Sequence, residues 1–509
     1  MSERSGASRR GSLRRRLDAS ALRWQARLDT PWVDRTLPWL IAGLLTIVLL
    51  LISLAVQRQL DGGPTLATWT QAAWNMEEGR GPVSSLAGGD MVWDQWAFTS
   101  LPLLYLGRFV PTEVVLATAE ALCLGLAVVP LWRMAREVAR LRLGVTVGLI
   151  LAYCAAPVLY SANLSGWSPV VTAVPAIAWG AWFGQRRRWV AYGLCMVVAL
   201  LSRADVSLLL VAFGILGVTS GDRRSGGATA AVGALWALAF LVLVDPPVPE
   251  APMTASEAVL ARGEAPLAVL TDPVRLVTDL VIQPNVGALV VLVGPLLFLP
   301  LVVPRFALPA LPPIWLGLVG EEAVRQAVGP SPGAVQLPSV LLLAVVPMVL
   351  AASVALARIG QPSVSRIRVD HRIVAAMVLA TLAIFVQVAP TSPFNEPWSW
   401  GSQDDADGAR LEASELLDEV DPHGGVTASP QLTPLVAERR DVQEVSAGPP
   451  RGWEPTTGAV LLDTTAVGDD GVPLWDRRDR EEVLASLAAR SYDLEYRAAG
   501  IFLVLRRPE

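Results

Sequence analysis

Two short charged sequences stand out in a chain whose charged residues make up only 17% of the total. Asp94 lies in Trp93-Asp94-Gln95-Trp96, and a carboxylate flanked by aromatic rings suits a general base acting on a sugar hydroxyl. Arg203 and Asp205, in Ser202-Arg203-Ala204-Asp205, suit an anion. Arginine holds a phosphate through paired N–H donors, and a neighbouring carboxylate orients it. Each pattern also has a plainer reading: Asp94 as a solvated loop acid, Arg203/Asp205 as a local pair closing helix ends. Asp61, Glu77, Glu78 and Asp90 share the loop with Asp94, and Asp61 is the second candidate base. Glu120 falls inside an apolar run, Thr118-Ala119-Glu120-Ala121-Leu122. An ionisable group at bilayer depth costs at least ~2.5–3.5 kcal/mol, so Glu120 is read either as a ligand-binding group or as a structural hydrogen bond between helices.

Other chemistries have little to build on. Only two histidines are present, His371 and His423, so a histidine-based metal site is not expected. Cys123, Cys154 and Cys195 all fall in apolar stretches and read as small core hydrophobes. No phosphate-binding glycine loop, nucleophile elbow, HExxH or CxxC is present.

The elements that must position these residues are about eleven apolar stretches between Leu37 and Pro390. The first, Leu37–Val56, carries no charge and is long enough for a hydrocarbon core of about 30 Å. The others are Thr112–Trp132, Leu143–Tyr160, Pro169–Gly184, Trp189–Leu201, Val206–Ser220, Ala228–Val244, Gly287–Val303, Phe306–Val319, Gln336–Ala357 and Ile373–Val388. Arginines fall in alternate gaps: nine before the first stretch, then clusters such as Arg133/Arg136/Arg140/Arg142, Arg186/Arg187/Arg188, Arg223/Arg224 and Arg358/Arg366/Arg368/Arg372. The positive-inside rule puts those gaps in the cytoplasm, so the N-terminus is expected inside. An odd number of crossings then places the C-terminus outside.

Residues 1–36 read as a cytoplasmic Arg-rich arm and 37–390 as the membrane domain. Its first external loop, 57–111, has an amphipathic helix at Thr65–Met76 and an apolar run at Trp96–Phe109, both expected to lie on the outer leaflet. A second external segment, Asp245–Val286, includes a helical run at Ser256–Arg262. From about Gly401 the composition changes: the tail is net −11 and the rest net +6. Its pattern alternates helix (Gly408–Glu419), strand (Val426–Ser429), helix (Gln431–Glu438) and strand (Val442–Ser446). There follow a strand (Ala459–Thr465), a helix (Arg480–Ala489) and a final strand pair turned at Ala499-Gly500. Residues 401–509 are therefore expected to fold as an independent extracytoplasmic α/β domain.

Several of these segments resemble one bacterial membrane family of unknown function, domain of unknown function 2079. The resemblance rests on Gln71-Ala72-Ala73-Trp74-Asn75, Leu101–Tyr105, Val129-Pro130-Leu131-Trp132-Arg133-Met134-Ala135-Arg136, Gly166-Trp167-Ser168-Pro169 and Ser202-Arg203-Ala204-Asp205. It continues into the tail at Val426-Thr427-Ala428-Ser429 and Leu435-Val436-Ala437-Glu438-Arg439-Arg440. That family is related to the GT-C glycosyltransferases, which use polyprenyl-phosphate sugars at the outer face of the membrane. The chain departs from the family pattern: Thr65 and Thr70 stand where acids precede the Gln-Ala-x-Trp-Asn motif, Gln95 or Trp96 where a histidine stands, Ser168 within the family's Phe-His-Pro, and Arg203-Ala204-Asp205 for Lys-Glu-Asp.

The resemblance implies an α-helical polytopic membrane protein, GT-C-like, with about eleven transmembrane helices and a C-terminal extracytoplasmic α/β domain. The implied activity is transfer of a sugar from a polyprenyl-phosphate carrier to a cell-envelope acceptor at the bacterial cytoplasmic membrane. Asp94 or Asp61 would act as base, and Arg203 and Asp205 would hold the phosphate. Gln71, Trp74 and Asn75 would line the sugar pocket, with Glu120 as a further binding candidate. The partner is a membrane lipid or lipid-linked sugar; neither a nucleic acid nor a soluble cofactor is expected, and a carboxylate-held divalent metal stays open. The alternative is a non-catalytic relative that binds a lipid-linked glycan or envelope partner; a transporter is a third reading. For the topology, a thiol introduced at Ser446 should react with an impermeant reagent from outside, and one at Ser225 should not; the opposite pattern would invert the scheme.

Overall fold

The structure, a computed structural model, describes residues 30–58, 63–244, 283–318, 337–362, 366–391, 405–445, 448, 455–465 and 473–507. The arm up to residue 29, Asp61 and the run Ser256–Arg262 lie outside the described residues. Among the described residues, twelve of the helices of the membrane part and its first loop carry the architecture. They are α1 (Pro31–Arg58), α2 (Gly63–Glu77), α3 (Leu101–Leu106), α4 (Thr112–Val138), α5 (Leu143–Leu164), α6 (Ala173–Gln185), α7 (Trp189–Leu200), α8 (Val206–Thr219), α9 (Arg223–Leu243), α10 (Gln283–Val293), α11 (Ser339–Ile359) and α12 (His371–Val388).

The expected apolar stretches are helical over their described residues, and among those residues six helices are each long and apolar enough to cross a membrane unaided. α1, α4, α5, α9, α11 and α12 are long and apolar enough to cross a membrane. α7 and α8 have 12 and 14 residues. At a rise of about 1.5 Å per residue they fall short of a ~30 Å hydrocarbon core. The stretch Pro169–Gly184 begins as a 3-10 turn, Pro169–Thr172, and Phe306–Val319 breaks into Pro304–Ala307, Leu308–Ala310 and a helix over 311–318. Proline is the cause: it lacks an N–H and its ring clashes with the preceding turn, and Pro304, Pro309, Pro312 and Pro313 crowd one segment.

α11 is the axis of the bundle. Its apolar window is 83% buried, against 17% for α9 and 11% for α12, which lie at the periphery. Leu49, Leu124, Trp132, Leu149, Ile177, Leu209, Leu343 and Val346 join one continuous core drawn from six helices. At the Arg-rich end a charged clamp closes the bundle. Buried Arg136 donates through Nε and Nη2 to Asp34 Oδ1 and Oδ2 at 2.6 and 2.9 Å, and through Nη1 to the Leu141 carbonyl at 2.8 Å. Trp132 Nε1 and Arg366 Nη2 also donate to Asp34, at 3.3 and 3.4 Å.

The first loop carries a hairpin, β1 (Val83–Ser84) against β2 (Gly89–Asp90), and a second small pair, β3 (Gln361–Pro362) against β4 (Ile367–Arg368), lies in an Arg-rich gap. The tail begins with α13 (Asp405–Val420). It builds one sheet from β5 (Val426–Ala428), β6 (Val442–Glu444), β7 (Ala459–Asp463), β8 (Tyr492–Ala498) and β9 (Ile501–Arg506), in the order β6-β5-β7-β9-β8. The β6-β5-β7 side is parallel and β7-β9-β8 antiparallel. α14 (Arg477–Ala488) packs with Trp475, Val460, Leu462 and Phe502 in one tail core, while α13 covers Val426, Leu461 and Leu503 in the other. The expected helix over Gln431–Glu438 is only a 3-10 turn, Thr433–Val436, because Pro430 and Pro434 interrupt it.

Two further expectations change. α2 does not lie on a leaflet: Leu66, Trp69 and Ala73 pack under Leu104, Leu116 and Trp167, while Ala67 and the hairpin's Leu86 enter the core of the tail. The tail is thus seated on the first loop rather than separate from it. The later half of the loop does present an exposed apolar face, with Tyr105, Leu106 and Phe109 at 55%, 49% and 77% exposure.

Two variants check these joints. Asp34→Ala removes the carboxylate that holds the buried Arg136 guanidinium and should destabilise the bundle by about 3–5 kcal/mol, read as a lower Tm in detergent. Gln71→Leu strands the groups that meet the Gln71 amide between loop and tail. It should cost about 1–3 kcal/mol of docking, read as faster hydrogen exchange at the Val442 amide while the bundle melts unchanged.

Candidate functional site

Asp94 follows β2 in a turn organised by its neighbour: Asp90 Oδ1 accepts from the backbone N–H of Val92 and Trp93 at 2.9 and 2.8 Å. The Asp94 carboxylate folds back over the hairpin. A Cβ added to Gly89 would meet Asp94 Oδ2 at 2.2 Å, so a larger residue there would displace the Asp94 carboxylate. Asp94 is half-buried. Two residues on, Trp96 adopts a left-handed backbone with φ 55°, which costs of order 1–3 kcal/mol in a non-glycine residue and persists only where packing enforces it. The packing is aromatic: Trp236 and Phe240 of α9 meet the Trp96 ring edge to face at 4.9 and 5.4 Å.

Arg203 and Asp205 occupy the turn between α7 and α8. Arg203 Nε donates to both Asp205 carboxylate oxygens at 3.0 Å, and Nη2 donates to Oδ2. Both side chains are more than nine-tenths buried, at 8% and 5% exposure. The pair is therefore desolvated, which makes each partner costly to remove. The backbone stitches this turn to the first loop, since Ala204 N–H donates to the Gln95 carbonyl at 3.1 Å and Thr99 N–H to the Leu201 carbonyl at 3.0 Å. Ala204 also shares an apolar contact with Trp96 and Val244. The segments carrying Asp94 and Arg203/Asp205, more than a hundred residues apart in sequence, thus lie side by side.

Gln71, Trp74 and Asn75 do something other than line an open pocket. Gln71 is fully buried. Its Nε2 donates to Ser85 Oγ and the Arg439 carbonyl at 2.8 and 3.0 Å, and its Oε1 accepts from Ser84 Oγ and Leu86 N–H at 2.6 and 3.3 Å. Ser85 Oγ accepts from Val442 N–H and donates to the Val442 carbonyl, both at 2.8 Å, and so satisfies the free edge of β6. Asn75, one turn along α2, holds the Val83 carbonyl at 2.9 Å and accepts from Arg80 at 2.8 Å. The Arg80 guanidinium lies 4.9 Å from the centre of the Trp74 ring, which in turn faces His423 of the tail at 6.4 Å.

Glu120 is buried in α4, and its Oε1 has no hydrogen-bond partner. It lines a small cavity of about 20 Å³ with Ser53, Gln57, Asn163 and Trp167. Asn163 Nδ2 donates to Ser53 Oγ at 2.8 Å, leaving Asn163 Oδ1 as a second unsatisfied oxygen. That volume suits one water bridging the two acceptors. Neither Arg203 nor Asp205 lines this cavity. Asp61 lies outside the described residues.

Sequence reasoning missed a group of carboxylates from three parts of the chain. Glu438 of the tail has its pKa raised, first by partial desolvation and then by the fields of Glu113, Glu77 and Asp418. Glu113 heads α4, and Thr70 Oγ1 reaches its Oε1 at 3.5 Å, a long contact. Thr70 is one of the positions at which an acid was expected, so a carboxylate is supplied there from another element. Among the described residues, no group of three or more His, Cys, Asp or Glu is arranged to hold a metal ion.

Comparison with curated proteins returns no match. Among solved structures, ArnT from Cupriavidus metallidurans bound to undecaprenyl phosphate is similar at 14% identity and a TM-score of 0.50, covering 94% of this chain and 100% of that one. The apo structure of the same protein is similar at 12% identity and a TM-score of 0.46, covering 92% and 99%. The likeness to the first, over nearly the full length of both chains, shows that the two share a fold. The chain belongs to the family described as Predicted membrane protein (DUF2079), whose pattern it matches from residue 65 to residue 503.

Proposed function

We propose that the protein is a GT-C glycosyltransferase of the bacterial cytoplasmic membrane, moving a sugar from a polyprenyl-phosphate carrier to an acceptor on the outer face. The observation that carries this reading is the backbone stitching of the Asp94 loop to the turn that holds the desolvated Arg203/Asp205 pair, which joins the two segments at one end of the bundle. Undecaprenyl phosphate bound to a protein of the same fold supports a lipid phosphate as the donor's carrier. With the N-terminus inside, this end of the bundle and the tail seated on it face outward.

In the reaction, Asp94 takes the proton from an acceptor hydroxyl as its oxygen attacks the anomeric carbon. The bond from that carbon to the phosphate oxygen breaks, and the lipid phosphate leaves with the electron pair. Arg203 stabilises the charge growing on that phosphate, and Asp205 fixes the guanidinium plane beforehand. Such preorganisation is worth most where water is excluded. The alternative, a relative that binds the lipid glycan without turnover, has its own support: Thr65 and Thr70 replace expected acids, Gln71 and Asn75 are consumed by structure, and Arg203 is already closed on Asp205.

Reconstituted protein with a polyprenyl-phosphate sugar separates these. Asp94→Asn should lower kcat by about 10²–10⁴ while lipid retention is kept, as for the loss of a general base. Arg203→Ala should weaken lipid-phosphate binding by about 1.5–3 kcal/mol, the value of a charge-assisted hydrogen bond. Full activity in Asp94→Asn would remove the base assignment. Lipid binding with no transfer by the wild type would establish the non-catalytic reading.

A further inference from the structure

A cleft of about 630 Å³ runs between α7 and α9, from a polar mouth at Trp189 and Arg224, the end away from the Arg203 turn, inward as far as Leu200. It exists because two helix pairs diverge. α9 is pinned to α8 through glycine: a Cβ on Gly226 would lie 2.4 Å from the Val218 backbone nitrogen and 2.7 Å from the Gly214 carbonyl oxygen. α7 packs instead along α6, with Met196 against Gly180. The space left between is walled by Trp189, Met196, Val197, Leu200, Leu210 and Val232. Around it Val190, Leu194 and Leu235 stand 81%, 64% and 65% exposed, so the cleft opens into an apolar surface.

One end is polar. The Tyr192 hydroxyl and Thr229 Oγ1 are 2.7 Å apart across the gap, joining α7 to α9. Arg224 lies on the rim with Arg223 beside it, both exposed, and neither makes a hydrogen bond or ion pair among the described residues. Asp222, the carboxylate at this mouth, is engaged as the cap of α9 and accepts from Ser225 N–H at 3.3 Å. Trp189 and Tyr192, edge to face at 6.0 Å, supply aromatic rings at the same level, as expected at headgroup depth. An apolar slot with a cationic, aromatic mouth is complementary to a molecule with a hydrocarbon chain and a negative head. Basic recesses between transmembrane helices bind such headgroups.

We propose that this cleft is a specific site for an anionic phospholipid of the Arg-rich leaflet, with one acyl chain in the slot and the phosphate on Arg223 and Arg224. The volume falls within the ~300–1,000 Å³ of small-molecule sites. This site is separate from the proposed sugar-transfer centre, and its occupancy does not depend on catalysis.

Full-length protein in neutral detergent, titrated with dioleoyl-phosphatidylglycerol or dioleoyl-phosphatidylcholine and read by native mass spectrometry, tests it. The wild type should retain phosphatidylglycerol with roughly tenfold or greater preference, as about 1 kcal/mol per arginine implies. The double variant Arg223→Gln/Arg224→Gln should lose the preference and keep weak binding of both lipids. Gly193→Trp should exclude both, since a Cβ there meets nothing within 4 Å and the ring enters empty space. Equal retention of the two lipids by the wild type overturns the headgroup assignment, as does a preference that survives the arginine changes. Unaltered binding in Gly193→Trp would put the lipid elsewhere.

Discussion

A primary amide shut away from water must find its partners within the protein, and the Gln71 side chain finds all of them at one junction. Its two N–H donors and its oxygen reach the hairpin at Ser84, Ser85 and Leu86 and the tail at Arg439. In a dry interior each unmet group would cost about 1–3 kcal/mol, so the geometry of three chain segments is fixed together rather than one by one. The hairpin places Asp90, Asp90 shapes the turn that carries Asp94, and that turn is bonded to the Arg203 segment. The candidate site therefore inherits its position from an amide that takes no part in it.

The Arg203/Asp205 pair poses a trade between two anions. In the structure the guanidinium is occupied on its Nε and Nη2 side by Asp205, within a nearly dry enclosure. A phosphate arriving at this turn gains an arginine already oriented and desolvated, so little reorganisation accompanies its binding. It also meets the Asp205 charge, which holds the free energy of binding below that of an unpaired arginine. Under the proposed sugar transfer, in which the carrier leaves after each turnover, such a limit on affinity favours release over retention.

Helices were legible wherever apolar runs were long, since period and composition carry the signal. What composition does not count is length lost to proline, which is why Phe306–Val319 reads as a span and folds as three pieces. The tail strands followed from alternating patterns, and the same proline effect undid the helix over Gln431–Glu438. At the site, the closeness of Arg203 to Asp205 was visible because it is local. The role of Gln71 and Asn75 was not. Two amides one turn apart on an apolar helix look alike whether they face a ligand or other backbone; Asn75 bonds the nearby hairpin, and the tail partner of Gln71 stands 368 residues away. Glu113 had no local pattern at all; only the packing of α2 on α4 brings it to Thr70.

The clamp at Asp34 sets an order on biogenesis. Asp34 lies in the first turn of α1, yet Arg136 comes 102 residues later and Arg366 332 residues later. The first loop likewise waits for its seat, because Ser85 and Val442 are separated by 357 residues. During synthesis α1 must enter the bilayer on hydrophobicity alone, and the loop must emerge with its amides bonded to water. Both ends of the chain are then locked at nearly the same late moment. Contacts of such sequence separation carry a large closure entropy and form slowly. A chain cut short before Arg366 would lack one arm of the clamp, and one cut short before the tail would leave the first loop without its seat at Val442.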